Sequence, residues 1–330
     1  MEVLACYDAG MRECFLIPPT LLPTGIHEFE HGYEGVTSQF LDDAAAYDAK
    51  YTDIEHWRSL LQFAFQHAPP IPSEPLILDM GCGSGNTVIP MLDGYPGSHV
   101  VAADISPNLL LLLQRRLKAK GALERSTIVS MDLCAEDRIR PNSFDLVVGG
   151  SILHHLLDPA TLLQRVCGWL RPGGFAVFFE PFAIGNVILA MLHMRLIANQ
   201  RELRLGKDVV QALERIVVDT RTRVVADPGD IPRMDDKWLF TRSSLQEAVR
   251  GRGSVRVIGM NSQRQFEVRT REILRFLAGH ENLPEAAWKI IREFDALFGL
   301  IADEALLMGC IIVVADQTER GPRHAPAPAP

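Results

Sequence analysis

The apolar positions of the chain follow two periods that alternate along it. Runs apolar nearly throughout occur at residues 76–78, 99–103, 126–131, 144–150 and 175–179, and again at 254–260 and 309–315. Between them, as at 109–117 and 158–170, apolar residues recur at three- and four-residue steps. Short runs without alternation read as strands buried on both faces, and the three-to-four step reads as helices. Strand and helix in turn predict an α/β protein whose parallel sheet is covered on both sides.

Both ends of the chain and two internal stretches depart from this alternation. Residues 1–41 carry Pro18, Pro19, Pro23, Gly25, Gly32 and Gly35, so an irregular arm is expected. The arm is also rich in Leu, Ile, Phe and Tyr, which predicts packing on the body, over the site. Within it, His27-Glu28-Phe29-Glu30-His31 matches the H-E-x-x-H zinc spacing. Gly25 and Gly32 bracket it, so the long helix that must hold such ligands is not predicted, and a chance match is the reading. From 41 to 67 the pattern is helical, with Tyr47, Tyr51 and Trp57 expected in a core rather than over a ligand. Helical stretches at 185–226 and 270–307 interrupt the second half, and the Ala-Pro tail from 320 reads as disordered.

Composition narrows the function classes. The 330 residues are 47% hydrophobic, enough for a substantial core. No apolar run reaches the ~18 residues that span a bilayer, and the basic-then-apolar order of a signal peptide is missing, so the cytoplasm is expected. Six cysteines without a C-x-x-C pair argue against a zinc ribbon or disulfide framework. The net charge of −8 comes from residues 1–60, which hold eleven acidic against three basic residues, while the rest balance at 30 each. An acidic arm on a balanced body is a poor match for nucleic acid.

The chemistry concentrates at one turn. Asp79 ends the first long run and Gly81, Gly83 and Gly85 follow at alternate positions before a helical pattern. Glycines there allow a ligand to approach the backbone closely. Asn86 stands where a dinucleotide G-x-G-x-x-G would have its last glycine. Asp104 and Asp132 end the next two strands, where they could accept bonds from ribose hydroxyls and from an adenine amine. Carboxylates without Lys or Arg in the turn suit an adenosine with a cationic end and disfavour a pyrophosphate.

Residues 76–86, 101–104, 130–132, 144–155 and 170–179 resemble the successive motifs of class I S-adenosylmethionine-dependent methyltransferases, and most of all the methyltransferase type 11 group. The resemblance covers residues 73–182 and implies a doubly wound, mostly parallel, seven-stranded Rossmann-like sheet. Its last strand, 309–315, would insert antiparallel between 175–179 and 254–260. It implies S-adenosyl-L-methionine as cofactor. Asp79, Gly81, Gly83 and Gly85, with Cys82 and Asn86 beside them, would surround the methionine end. Asp104 would hold the ribose with Ile105 against the adenine. Met131, Asp132 and Leu133 would take the adenine, and Gly150 and Ser151 would lie near the sulfonium.

The domain plan that follows has an arm and lid helix at 1–72 and the cofactor core at 73–184. A helical cap spans 185–236, and the rest of the core, 237–316, carries a second helical insertion at 264–308. Helices bearing Trp288, Phe294 and Phe298, and those near Met191 and Met194, are expected to roof an acceptor pocket; the plain alternatives are a helical cap packing on itself or a homodimer contact. His154, His155 and Glu180 are the candidates for proton transfer, on histidine's near-neutral pKa and on their place at strand ends. Against each stands a plain alternative: the histidines shape the loop, and Glu180 binds backbone N–H groups. No metal is expected. The activity expected is methyl transfer to oxygen or carbon of a small, partly apolar metabolite. A cofactor-binding protein that does not methylate, and a modifier of protein or RNA, are the alternatives.

Overall fold

A computed structural model describes residues 14–134, 138–260, 264–301 and 303–316. Cys6 and the tail from 320 lie outside the described residues. The arm gives β1 (Thr20–Leu21) and β2 (His27–Glu28), an antiparallel pair. Three helices follow: α1 (Ser38–Leu41), α2 (Ala44–Tyr51) and α3 (Ile54–Phe65). The helical stretch expected at 41–67 is thus broken at Thr52-Asp53, where the Asp53 side chain caps α3 by accepting from the His56 N–H at 2.9 Å.

The core alternates as its sequence pattern requires. It runs β3 (Leu76–Met80), α4 (Val88–Gly94), β4 (His99–Asp104), α5 (Pro107–Lys120), β5 (Ser126–Ser130), β6 (Phe144–Gly150), α6 (Pro159–Trp169) and β7 (Leu170–Pro181). Ser106 caps α5 by accepting from the Leu109 N–H, Pro107 opens it, and Gly121 at φ +68° closes it. Then come α7 (Ala183–Ala198), α8 (Lys207–Val224), α9 (Arg242–Ala248), β8 (Gly253–Gly259), α10 (Gln265–Leu277), α11 (Glu285–Phe298) and β9 (Met308–Ala315).

The strands form one sheet in the order β1-β2-β5-β4-β3-β6-β7-β9-β8. Strands β3 to β7 run parallel, and β9 lies antiparallel between β7 and β8, as expected. The sheet has nine strands rather than seven, because β2 adds in parallel to the β5 edge and brings β1 with it. The addition covers an otherwise open sheet edge. It also settles the H-E-x-x-H stretch: His27 and Glu28 are extended, so the two histidines do not share a helix face.

Residues two apart point to the same face of a strand. Leu78, Met80, Val101, Ala103 and Val147 accordingly join one core cluster, and Ile77, Val100, Ala102, Leu146 and Val148 the other. A third cluster joins α7, α8, α10 and α11 through Leu192, Leu213, Phe266, Trp288 and Ile291. Among the described residues no helix is long and apolar enough to cross a membrane.

Candidate active site

A cavity of about 360 Å³ opens at the carboxyl ends of β3 to β6, the edge where open α/β sheets take ligands. Gly81, Gly83, Asp104, Asp132, Gly150 and Ser151 border it from the sheet, with Ile105, Met131 and Leu133 beside them. Two glycines show what the turn demands. At Gly81, φ +65°, a Cβ would stand 2.6 Å from Ile152 Cδ1. At Gly83, φ +51°, a Cβ would meet nothing within 4 Å. The backbone is therefore bare on the cavity side and packed behind. Ser151 is a non-glycine residue at φ +56°, a conformation that costs on the order of 1–3 kcal/mol and collects at functional sites.

The two strand-end acids differ in what they already hold. Asp104 accepts from the Gly83 and Ser106 N–H groups, each at 2.8 Å and each on its own oxygen. Asp132 accepts from the Cys134 N–H at 2.7 Å through one oxygen. Asp79 is wholly buried; its Oδ2 accepts from the Thr87 hydroxyl at 2.5 Å and its Oδ1 has no partner among the described residues. Burial raises its pKa to about 7, with Asp104 adding to the rise and the Thr87 bond opposing it.

Four expected cofactor residues stand back from the cavity. Asp79, Cys82 and Gly85 form the floor behind the turn. Asn86 ties the turn to the preceding helices: its Oδ1 accepts from the Asp53 N–H at 3.0 Å, and its Nδ2 donates to the Tyr51 carbonyl at 3.1 Å. Asn86 thus builds the site without bordering it.

The opposite wall is formed in part by the arm, as its apolar residues predict, and in part by Asp235 and Lys237, which the sequence did not single out. Val36 and Phe40 of the arm, Tyr47 of α2, and Asp235 and Lys237 from the segment after α8 line it. Lys237 is 1% exposed; its Nζ donates to the Gly35 carbonyl at 2.9 Å and to the Met234 carbonyl at 2.6 Å. Thr37 donates to Asp235 Oδ1 at 3.0 Å. The arm is therefore fastened to residues 234–237 across the cavity. Of the three helix aromatics, Trp57 packs against Gly150 and Phe179, Tyr47 borders the cavity, and Tyr51 stacks on Tyr47 at 4.6 Å. The expected roof is a different matter. Trp288, Phe294 and Phe298 belong to the third core cluster, and Met191 and Met194 are exposed, so none of the five borders the cavity. Their periodicity marked a buried face correctly, but that face meets other helices.

Beside Ser151 lies the cluster of His154, His155 and Glu180. Glu180 is fully buried and accepts from the Ile152 and Leu153 N–H groups at 2.9 and 2.7 Å, and from His154 Nδ1 at 2.5 Å. It anchors the loop and has no face on the cavity, which fits the orienting role and leaves no oxygen for a base at the site. The other nitrogen of His154 faces Asp236 Oδ1 at 3.4 Å. Burial works against charge on His154, but Glu180 and Asp236 outweigh it and raise its pKa to about 9. His155, the one of the three on the cavity, has its pKa lowered, chiefly by burial and then by the neighbouring His154 charge. Its Nδ1 contacts the Asp235 carbonyl at 3.0 Å.

A cofactor of the expected kind fits these residues. The turn leaves open space at Gly83, an unpartnered buried carboxylate oxygen lies at Asp79, and acids end successive strands. The ammonium of Lys237, on the same cavity, is taken up by backbone carbonyls, so carboxylates set the sign of the site.

Comparison with known proteins agrees. The family model described as a methyltransferase domain matches residues 78–176. The trans-aconitate 2-methyltransferase of Methylobacterium radiotolerans is 31% identical over 126 residues, 38% of this chain and 45% of that protein. The ubiquinone biosynthesis O-methyltransferase of Xanthomonas euvesicatoria is 32% identical over 99 residues, 30% of this chain and 39% of that protein. The chain thus spans less than half the length of these curated relatives. A chain from the Haloferax volcanii complex of the Trm112 methyltransferase activator shares the fold. Its TM-score is 0.51 at 16% identity, covering 86% of this chain and 100% of that one. Residues 78–176 thus match a methyltransferase domain, and the sheet around them places its last strand as the class I resemblance implies.

Proposed function

We propose that this protein transfers a methyl group from S-adenosyl-L-methionine to an oxygen or carbon of a small, partly apolar acceptor, in the cytoplasm. The observation that carries the reading is the single cavity shared by two walls. The motif residues Gly81, Asp104 and Asp132 form one, and Val36, Phe40 and Tyr47 the other. Its volume, about 360 Å³, is at the small-molecule end of ligand sites. The relatives named for trans-aconitate and for ubiquinone biosynthesis support a small acceptor. The acidic arm supports the exclusion of nucleic acid.

When bound, the cofactor supplies a methyl group on a sulfonium whose leaving group is a neutral thioether. The residues then have to hold, align and keep water out. Asp104 has lone pairs beyond the two N–H bonds it accepts and takes the ribose hydroxyls. Asp132, through its second oxygen, takes the adenine amine, with Ile105, Met131 and Leu133 against the ring. The glycine turn takes the cationic amino-acid end, with the buried Asp79 carboxylate behind it supplying negative charge through its unpartnered Oδ1. Gly150 and Ser151 sit at the reacting centre, and His155 with Phe40 bounds the acceptor side; their rings are 5.2 Å apart. Glu180 and His154 position that loop. The same reading divides the chain into an arm and lid helix (1–72), a cofactor core (73–184), a helical cap (185–236) and the remaining core with its insertion (237–316, insertion 264–308).

Two measurements test it. Calorimetry with S-adenosylmethionine should show stoichiometric binding, and incubation with methyl-labelled cofactor and small carboxylate, phenol and enol acceptors should give a labelled small product. Binding without any labelled product would make the chain a non-methylating binder. Label appearing in RNA instead, with activity falling steeply as salt rises, would move the substrate to nucleic acid.

A further inference from the structure

We propose that His154, His155 and Asp236 bind one divalent transition-metal ion at the acceptor side of the cavity. Three donor atoms converge there. His154 Nε2 and His155 Nδ1 lie 3.4 and 3.5 Å from the same oxygen, Asp236 Oδ1, and all three are within 4.8 Å of one another. A charge-assisted hydrogen bond closes to about 2.7–2.9 Å, as the contact between His154 and Glu180 does and more. Neither contact to Asp236 closes in this way. Their length is the edge between two ligands of a tetrahedral ion, since bonds of about 2.1 Å subtend about 3.4 Å.

The surroundings match a ligand set. His154 Nδ1 meets the buried Glu180 carboxylate, the partner that orients a metal-bound imidazole and fixes which nitrogen faces the ion. Arg223 approaches the other oxygen of Asp236, at 3.7 Å, and leaves Oδ1 to the cluster. The Asp236 side chain is 39% exposed, which gives the ion access from solvent. His155 Nδ1 also lies 3.0 Å from the Asp235 carbonyl; loading an ion replaces that hydrogen bond by a bond to the metal, the proton moving to Nε2 of the same ring, while the proton on His154 Nε2 goes to solvent. Two imidazoles and one carboxylate select Zn²⁺, Co²⁺ or Fe²⁺ over Mg²⁺ or Ca²⁺.

Three protein ligands leave a position open toward the cavity that His155 borders. Its use there rests on the methyl-transfer reading. An acceptor hydroxyl would take that position and lose its proton to solvent. The oxygen lone pair then forms the C–O bond while the C–S bond breaks, its electrons staying on sulfur. The acceptor class is therefore one with an oxygen able to bind a metal.

The test uses the full chain, stripped with a chelator and titrated with Co²⁺ and Zn²⁺ in the absence of cofactor and acceptor. One Co²⁺ per chain should bind with the visible absorption of a low-coordinate site. Asp236→Asn and His155→Ala should abolish that absorption while unfolding at the wild-type temperature, and Glu180→Gln should weaken binding about 10–100-fold. His31→Ala, in the H-E-x-x-H stretch, should leave it intact. Absence of the absorption in the wild type, or its survival in both Asp236→Asn and His155→Ala, overturns the site. Calorimetry with S-adenosylmethionine on the stripped protein separates the two readings. Cofactor binding without cobalt binding sinks the metal alone, and cobalt binding without cofactor binding leaves the metal site standing and sinks the methyl-transfer reading.

Discussion

The two walls of the cavity are built differently. The sheet wall is assembled from strand ends that the hydrogen-bonded ladder fixes, and its acids are held by backbone N–H groups a few residues away or on the next strand. The facing wall joins the arm to residues 234–238 through side chains that reach across some 200 positions, Lys237 to Gly35 and Thr37 to Asp235. A wall fixed by the fold's own ladder resists substitution until the ladder itself is disturbed. A wall fixed by a few polar contacts is one that each contact can loosen separately. The first suits a ligand that every such domain binds; the second suits a ligand particular to this chain.

The comparison predicts its own largest effect at Asp104. Asp104→Ala strands the buried Ser106 N–H, at a cost of about 1–3 kcal/mol, and removes the partner of the half-buried Gly83 N–H on the cavity. Urea unfolding should show that loss, and cofactor binding should fall with it, because the same carboxylate serves both. An intact cofactor affinity in a destabilised variant would separate folding from binding and break the account of this wall.

Lys237→Met should be next. It leaves the Gly35 and Met234 carbonyls unpaired, about 1–3 kcal/mol by the same reasoning, and frees the arm from the facing wall. Limited proteolysis should then cut the arm faster while cofactor affinity stays at the wild-type value. A matching drop in cofactor affinity would mean that the walls are not separate.

The same contrast explains what the sequence could show. The sheet wall was legible because its residues announce themselves locally: an apolar run, an acid, and glycines at alternate positions. The place of the last strand followed from the resemblance, and the N-cap at Ser106 from its position before Pro107. The facing wall has no period. The apolar richness of the arm signalled its half of that wall. For the other half, Asp235-Asp236-Lys237-Trp238 carries a charge cluster beside an aromatic at the end of a helical insertion, a signal that could have drawn attention to it. The two-residue strands β1 and β2 lie below any pattern, since two residues cannot display an alternation. The amphipathic helices misled for a related reason: periodicity shows that a face is buried and never against what. Trp288 sits 6% exposed, as its spacing requires, yet in the third cluster rather than over the cavity.

Asp79 gives a test by pH alone. Its folded pKa, near 7, stands above the ordinary carboxylate value near 4, so between those pH values the folded chain keeps a proton that the unfolded chain has lost. Stability contributed by this group therefore falls as pH rises from about 4 to about 7 and is level above that. Asp79→Asn should remove that slope from a series of urea midpoints. A cationic ligand prefers the ionised carboxylate, so wild-type cofactor affinity should drop as pH falls below 7, by up to about tenfold per unit, or 1.4 kcal/mol. A cofactor affinity flat across this range would place the cationic end away from Asp79.

The smallest effect is the sharpest probe of the division. Thr37→Val keeps the shape of the side chain and removes its bond to Asp235 Oδ1. The bond lies in a half-buried place, so its loss costs about 0.5–1.5 kcal/mol. Little of that should appear in unfolding, since the Lys237 contacts still fasten the arm. It should appear instead as a higher KM for the acceptor, because Asp235 and Val36 border the cavity on either side of the lost bond. Cofactor affinity, set at the sheet wall, should not move. A rise in the cofactor dissociation constant equal to the rise in acceptor KM would show that closing the arm completes both subsites, and the cavity would have one wall in function although it has two in construction.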